Sequence, residues 1–421
     1  MVYGVKDANK IQILLFAMAI LTIPAITVTL NGAIYEKLTG RLYYVLFALV
    51  LFVWFIWNYR LHLEAKVYVI ALTIGVILHQ LSNIEVEENV NGTLFTRLVP
   101  VILMSMYMRV DRNLKWLMVF MMAFYLVECL MCFYERMTLT HIFSYTLGGR
   151  EDAYNINMSG LEENKYRATA LMAHPLFNAN TISVAMAFIL CSDKIKPLIK
   201  IALWAIGLLG LYGCNSRGVF LVWAVILLYR FTLYNRKWWL ALIAILALYF
   251  LVPIFLDWLL VSGLLGRMEG FDFSDSSTNT RIIAWYVFSN ARWTFEDIVI
   301  GGRFITYMGS KTTLENGVLL DLSYWGLIIG PIKIITEVLL TWHACHHFPL
   351  RAKVIIMLAT WGVAFMNNNS CQTWLLPMFV LFCIGFAPFQ TKEAKQVEET
   401  YTPSPHPTPS PRDSELAQAL P

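Results

Sequence analysis

The stretch LIKIALWAIGLLGLYGCNSRGVFLVWAVILLY, Leu198 to Tyr229, decides the architecture. Two apolar runs are parted only by Asn215 and Ser216 with Arg217, too short a break to hold anything but a turn between helices. Neither run alternates as a barrel strand does. Similar runs recur to about Phe389, and about 17 to 25 apolar residues suffice to cross a bilayer core as a helix. The whole chain of 421 residues is 58% hydrophobic and 14% charged, whereas a soluble fold carries about a quarter charged residues. Its mean hydropathy is +0.59. The expected fold is an all-α polytopic transmembrane bundle of about 12 helices, with runs beginning near Ile11, Leu42, Val67, Leu98, Asn113, Leu176, Leu198, Gly218, Trp238, Gly317, Val354 and Thr373.

Lys and Arg in short loops stay on the cytoplasmic side. One alternate set of segments holds Lys6, Lys10, Arg60, Lys66, Arg109, Arg112, Lys115, Lys194, Lys196, Lys200, Arg230, Arg236, Lys237, Arg351, Lys353, Lys392 and Lys395, while the short loops of the other set hold Lys37, Arg41, Arg97 and Arg217. Both termini are therefore expected inside, and two long loops, about 135–175 and 262–316, outside. Met1 to Lys10 lacks the pattern of a cleavable leader, so the first run is expected to remain as a span. The membrane domain is expected over 1–390. Residues 391–421, with TPSPHPTPSPRD, cannot bury a core and read as a disordered cytoplasmic tail.

An arginine costs roughly 2.5 to 3.5 kcal/mol at the centre of a spanning helix, so arginines on the side depleted of them require a reason. Arg167, Arg217, Arg281 and Arg303 are four such residues, and snorkelling or loop-surface placement is the plain alternative. Guanidinium forks bind phosphate by paired charge-assisted hydrogen bonds, so convergence would suit a lipid pyrophosphate. The chain has neither a P-loop nor a GxGxxG fingerprint, which argues against nucleotide chemistry. Cys129 and Cys132 form a C-x-x-C without a second pair and read as packing; Asp272 with Asp275, and the HACHH cluster of His343, Cys345, His346 and His347, read as solvated or interfacial groups rather than metal sites. Glu128, an acid inside the fifth run, is a functional candidate. Lys333 and Glu337 are placed to neutralise each other.

Four motifs in order resemble the O-antigen ligase and polymerase superfamily: Arg167 ahead of His174, Pro175 and Asn178; Ser216-Arg217-Gly218; Arg281 and Trp285 followed by Gly301-Gly302; and ENGVLLDLSYWG from Glu315 to Gly326. The resemblance implies a metal-independent, cofactor-free glycosyltransferase of the bacterial inner membrane, acting at the periplasmic face on undecaprenyl-pyrophosphate-linked oligosaccharides among membrane lipids. A chain-length regulator or a flippase is the protein partner it suggests; no nucleic acid is expected. It assigns Arg217 and Arg281 to the pyrophosphate, with Arg167, Arg303, His174 and Asn316 binding substrate. Ligases of the superfamily carry a histidine before the asparagine; this chain has Glu315 there, which could take the acceptor's proton. The expected activity is repeat-unit polymerisation, with ligation to lipid A core or protein, or secondary transport, as alternatives.

Overall fold

The computed structural model describes residues 61–81, 98, 101–102, 104–105, 115–143, 166–172, 174–230, 285–286, 288–290, 293–301, 316–366 and 375–386. Among them 83% are helical and none is in a strand. The long helices are α1 (Leu63–Leu81), α2 (Lys115–Thr138), α3 (Pro175–Cys191), α4 (Pro197–Cys214) and α5 (Arg217–Tyr229). A short α6 (Phe295–Val299) precedes α7 (Gly317–Ala344). Then α8 (Leu350–Met357) continues through a π turn, Leu358–Gly362, into α9 (Val363–Met366), and α10 (Leu375–Phe386) follows. These match the expected runs near Val67, Asn113, Leu176, Leu198, Gly218, Gly317, Val354 and Thr373. The runs near Ile11, Leu42 and Trp238, and the tail, lie outside the described residues.

The stretches Trp116–Thr138, Pro197–Cys214 and Gly317–Ala344 are long and apolar enough to cross a membrane. Helix α1 carries Ile70, Ile74 and Ile77, each about half exposed or more, on one face. A stripe of that kind suits lipid rather than water.

Local sequence sets the helix ends. Proline occupies the first turn of both α3 and α4, where its missing N–H costs nothing. The α4 helix closes on Asn215 in the left-handed region, at φ 49°, and Ser216 returns to extended backbone before α5 starts at Arg217. The break is the tight turn expected from the sequence.

Helices α2 and α4 run parallel in close contact. Along α4, Gly207, Gly210 and Gly213 face α2 and its neighbours: a Cβ on Gly210 would lie 2.9 Å from Cys129 Cα, and one on Gly213 would strike the Cys132 carbonyl. Small residues at that spacing let two backbones approach. The Tyr125 hydroxyl donates to the Leu203 carbonyl at 2.7 Å, satisfying a buried group between the same helices. Cys129 and Cys132 are buried at this contact, as a packing role requires. Deeper in, Phe188 of α3 meets Phe348, Phe379 and Phe382, with ring centroids 5.6, 5.4 and 5.9 Å away.

Helix α7 departs from a simple span. Gly326 sits at φ 77° and ψ 170°, so the helix is broken there. The halves are not collinear: a Cβ on Gly330 would lie 3.0 Å from the Asp321 carbonyl oxygen, whereas nine residues of straight helix rise about 13 Å. Helix α6 fills the corner. A Cβ on Gly326 would sit 2.7 Å from the Ile298 carbonyl oxygen, and one on Gly301, at φ 75°, would strike Gly326 N. Buried irregular backbone of this kind is tolerated because protein covers it.

Candidate functional site

The segment Tyr166 to Met172 crosses the ends of α2, α3 and α4, and every backbone N–H from Ala168 to Met172 is hydrogen-bonded. Arg136 Nη1 donates to the Tyr166 carbonyl at 2.8 Å. The Ala168 N–H donates to the Gly213 carbonyl at 3.0 Å. Glu135 Oε2 accepts from the N–H groups of Thr169 and Ala170, at 2.8 and 3.1 Å. Glu128 Oε2 accepts from Leu171 N–H at 3.3 Å, and Asn178 Oδ1 from Met172 N–H at 3.2 Å. The Asn178 amide in turn donates to the Ala168 carbonyl at 3.2 Å. Two acids on one helix face, seven residues apart, thus act as acceptors for a strap that would otherwise bury unpaired N–H groups. Ala170, at φ 35°, pays backbone strain to stay in it.

Arg167 is held on both sides by these bonds. Its guanidinium lies close enough to His174 to act on the ring's charge. His174 is the N-cap of α3: its Nδ1 accepts the Leu176 N–H at 3.2 Å. Burial, and then the Arg167 charge, push its pKa down to about 4, so at neutral pH the ring is uncharged and, with Nδ1 accepting, carries its proton on Nε2. The Ala168–Gly213 bond brings the strap beside the α4–α5 turn, and hence the N-terminus that begins at Arg217. One end of the bundle therefore gathers Arg167, His174, the buried Arg136 and the starts of two helices, whose dipoles present their positive ends there.

Glu135 and Arg136 were not separated from the loop by sequence, because the apolar run ends before them; α2 extends to Thr138 and places both inside the helix. His141 was also missed. Its Nδ1 lies 2.9 Å from the hydroxyls of Tyr166 and Thr169 and 3.4 Å from Glu135 Oε2, and its ring stacks on Tyr166 at 5.0 Å. The one sequence signal was a Glu, an Arg and a His within a single turn or two of the end of α2.

Asn316 is engaged as the N-cap of α7, its Oδ1 accepting from the N–H groups of Val318 and Leu319 at 3.0 and 3.1 Å. Gly301 of the Gly-Gly motif is spent on the α7 corner. Arg281, Arg303 and Glu315 lie outside the described residues, as do Asp272 and Asp275; for Arg217 the described part is the backbone. Trp285 is about half exposed on a helical turn.

Two other polar clusters have structural explanations. Lys333 Nζ donates to Asp321 Oδ2 at 3.0 Å and to Glu337 Oε2 at 3.1 Å, and the Tyr68 hydroxyl donates to Glu337 Oε1 at 2.8 Å. The expected Lys333–Glu337 pair exists, with Asp321 brought in by the Gly326 corner. At the opposite end of α7, His343 pairs with Glu64 at 3.2 Å and Cys345 packs against Cys383. Among the described residues no three metal-binding side chains converge.

No protein-family model, no curated protein and no solved structure matches this chain.

Proposed function

We propose that the chain is a glycosyltransferase that joins undecaprenyl-pyrophosphate-linked oligosaccharide repeats into a surface polysaccharide, with its site on the periplasmic side of the inner membrane. The supporting observation is the strapped end of the bundle, where Arg167 is fixed beside a neutral His174 and the N-termini of α3 and α5. Such an end suits a di-anion on a lipid. In the proposed reaction an acceptor hydroxyl attacks the anomeric carbon of the donor glycan and the bond to pyrophosphate breaks. The electron pair leaves on a phosphate oxygen, where Arg217 and Arg281 stabilise it; the proton goes to Glu315. Fixed donors aimed at developing charge act more on the transition state than on the ground state.

A strain lacking the gene provides the test. Accumulation of single lipid-linked repeats supports polymerisation. Full-length unligated chains would instead assign ligation to lipid A core or protein. One observation favours a transporter, the broken α7 with its buried charges, since discontinuous helices line transport sites. Against it, α6 backbone fills the corner. A transporter of small solutes would leave the lipid-linked glycan unchanged in length.

A further inference from the structure

His141 is held by one ring nitrogen and leaves the other unused. Its side chain is 7% exposed. Among the described residues the hydroxyls of Tyr166 and Thr169 have no partner besides Nδ1, each at 2.9 Å. A buried hydroxyl needs an acceptor for its hydrogen. The nearby Glu135 carboxylate is already taken by three backbone N–H groups, those of Ile142, Thr169 and Ala170. The Nδ1 lone pair can accept one of these two hydroxyls, and a ring that accepts there carries its proton on Nε2. That Nε2 is buried and meets no hydrogen-bond partner.

A buried donor without an acceptor is costly and rare in native proteins. Tyr166 stacking and the two hydroxyl contacts to Nδ1 hold the ring where it would otherwise turn to satisfy itself. The same strap that fixes His141 also fixes Arg167, and the buried Arg136 anchors it. We propose that His141 is a ligand-binding residue, its Nε2–H donating to a phosphate oxygen of the anionic group that the strapped end receives. A donor with no lone pair to offer suits an acceptor-only oxygen, and Arg136 and Arg167, tied to the same strap, carry the opposite charge. The assignment rests on the pyrophosphate reading above and names a contact within it.

The test uses the full chain in lipid nanodiscs of phosphatidylethanolamine and phosphatidylglycerol, with inorganic pyrophosphate and undecaprenyl pyrophosphate as probes. His141→Leu removes the donor and is expected to weaken binding of both probes about tenfold or more, the scale of one hydrogen bond to a charged group. His141→Gln keeps an N–H donor and is expected to bind within a few-fold of the parent. Equal binding by His141→Leu overturns the assignment while leaving the pyrophosphate reading intact. Failure of the unaltered protein to bind either probe overturns both. Should His141→Leu not fold, 15N-histidine spectra of the unaltered protein decide: an Nε2–H tautomer whose nitrogen shifts on adding pyrophosphate supports the contact, and an Nδ1–H tautomer or no shift refutes it.

Discussion

The imidazole of His174 accepts the Leu176 N–H, and burial with the adjoining Arg167 charge lowers its pKa to about 4. An unfolded histidine titrates near 6.5. Between those values the unfolded chain takes up a proton that the folded chain refuses, so stability is full above about pH 6.5 and declines until about pH 4. Asparagine caps a helix well and does not titrate. Thermal unfolding of His174→Asn is therefore expected to lose part of the acid sensitivity across that window, and an unchanged slope would assign the sensitivity to other groups. The arginines give a chemical prediction at the same scale. Arg217→Lys and Arg281→Lys keep charge but lose the fork, and polymer formation is expected to fall about 100- to 1000-fold, as for the loss of one transition-state donor. Near-normal polymer from both, with normal amounts of inserted protein, would leave snorkelling as their role.

Helix α2 and the strap behave as one element because Glu135 accepts from Ile142, Thr169 and Ala170, and Glu128 from Leu171. Glu135→Gln leaves a single acceptor oxygen for three donors, stranding at least one buried N–H at about 1–3 kcal/mol. Glu128→Gln can still turn its oxygen to Leu171. Hydrogen exchange over 139–172 is expected to rise clearly in Glu135→Gln and little in Glu128→Gln; equal effects would show that the strap is held by something other than these bonds. At the α7 corner, Gly326→Ala forces φ 77° on a residue with a Cβ and drives it toward Ile298, costing about 1–2 kcal/mol or more. Loss of thermal stability larger than for Gly362→Ala, whose Cβ would meet only Val222 at 3.4 Å, is the expected result. The helices themselves were legible from apolar length, Pro at the α3 and α4 starts, and the Asn215–Ser216 turn. The strap was not, since its bonds join Glu128 and Glu135 to backbone some forty residues away, which no local pattern encodes. Asp321 was equally hidden: on a straight helix it would stand about 18 Å along the axis from Lys333, and only the Gly326 corner closes that gap.

Across the whole molecule the helix directions carry the charge asymmetry. Helices α2 and α4 are parallel, since Tyr125 meets Leu203, Cys129 meets Gly210 and Cys132 meets Gly213 in the same order along both. Their N-termini, with Lys115 and with Lys194, Lys196 and Lys200, therefore share one end of the bundle. Helix α10 runs back against α2, bringing Gly385 beside Met118, and Lys194 Nζ donates to the Gly385 carbonyl at 3.0 Å. Helix α8 starts at that end as well, because Cys191 reaches Ala352 and Ser183 reaches Ala359 in antiparallel order, and it adds Arg351 and Lys353. The opposite end holds Arg136, Arg167 and the start of α5. Cations retained in the cytoplasm would then fix which end faces in, and the strapped end would face out. A reporter active only outside the cytoplasm, fused after Gly149 or after Asp275, is expected to be active, while one fused after Asn235 stays silent. The opposite pattern would turn the bundle over, place Arg167 and His174 in the cytoplasm, and remove the basis for a lipid-linked glycan as their ligand.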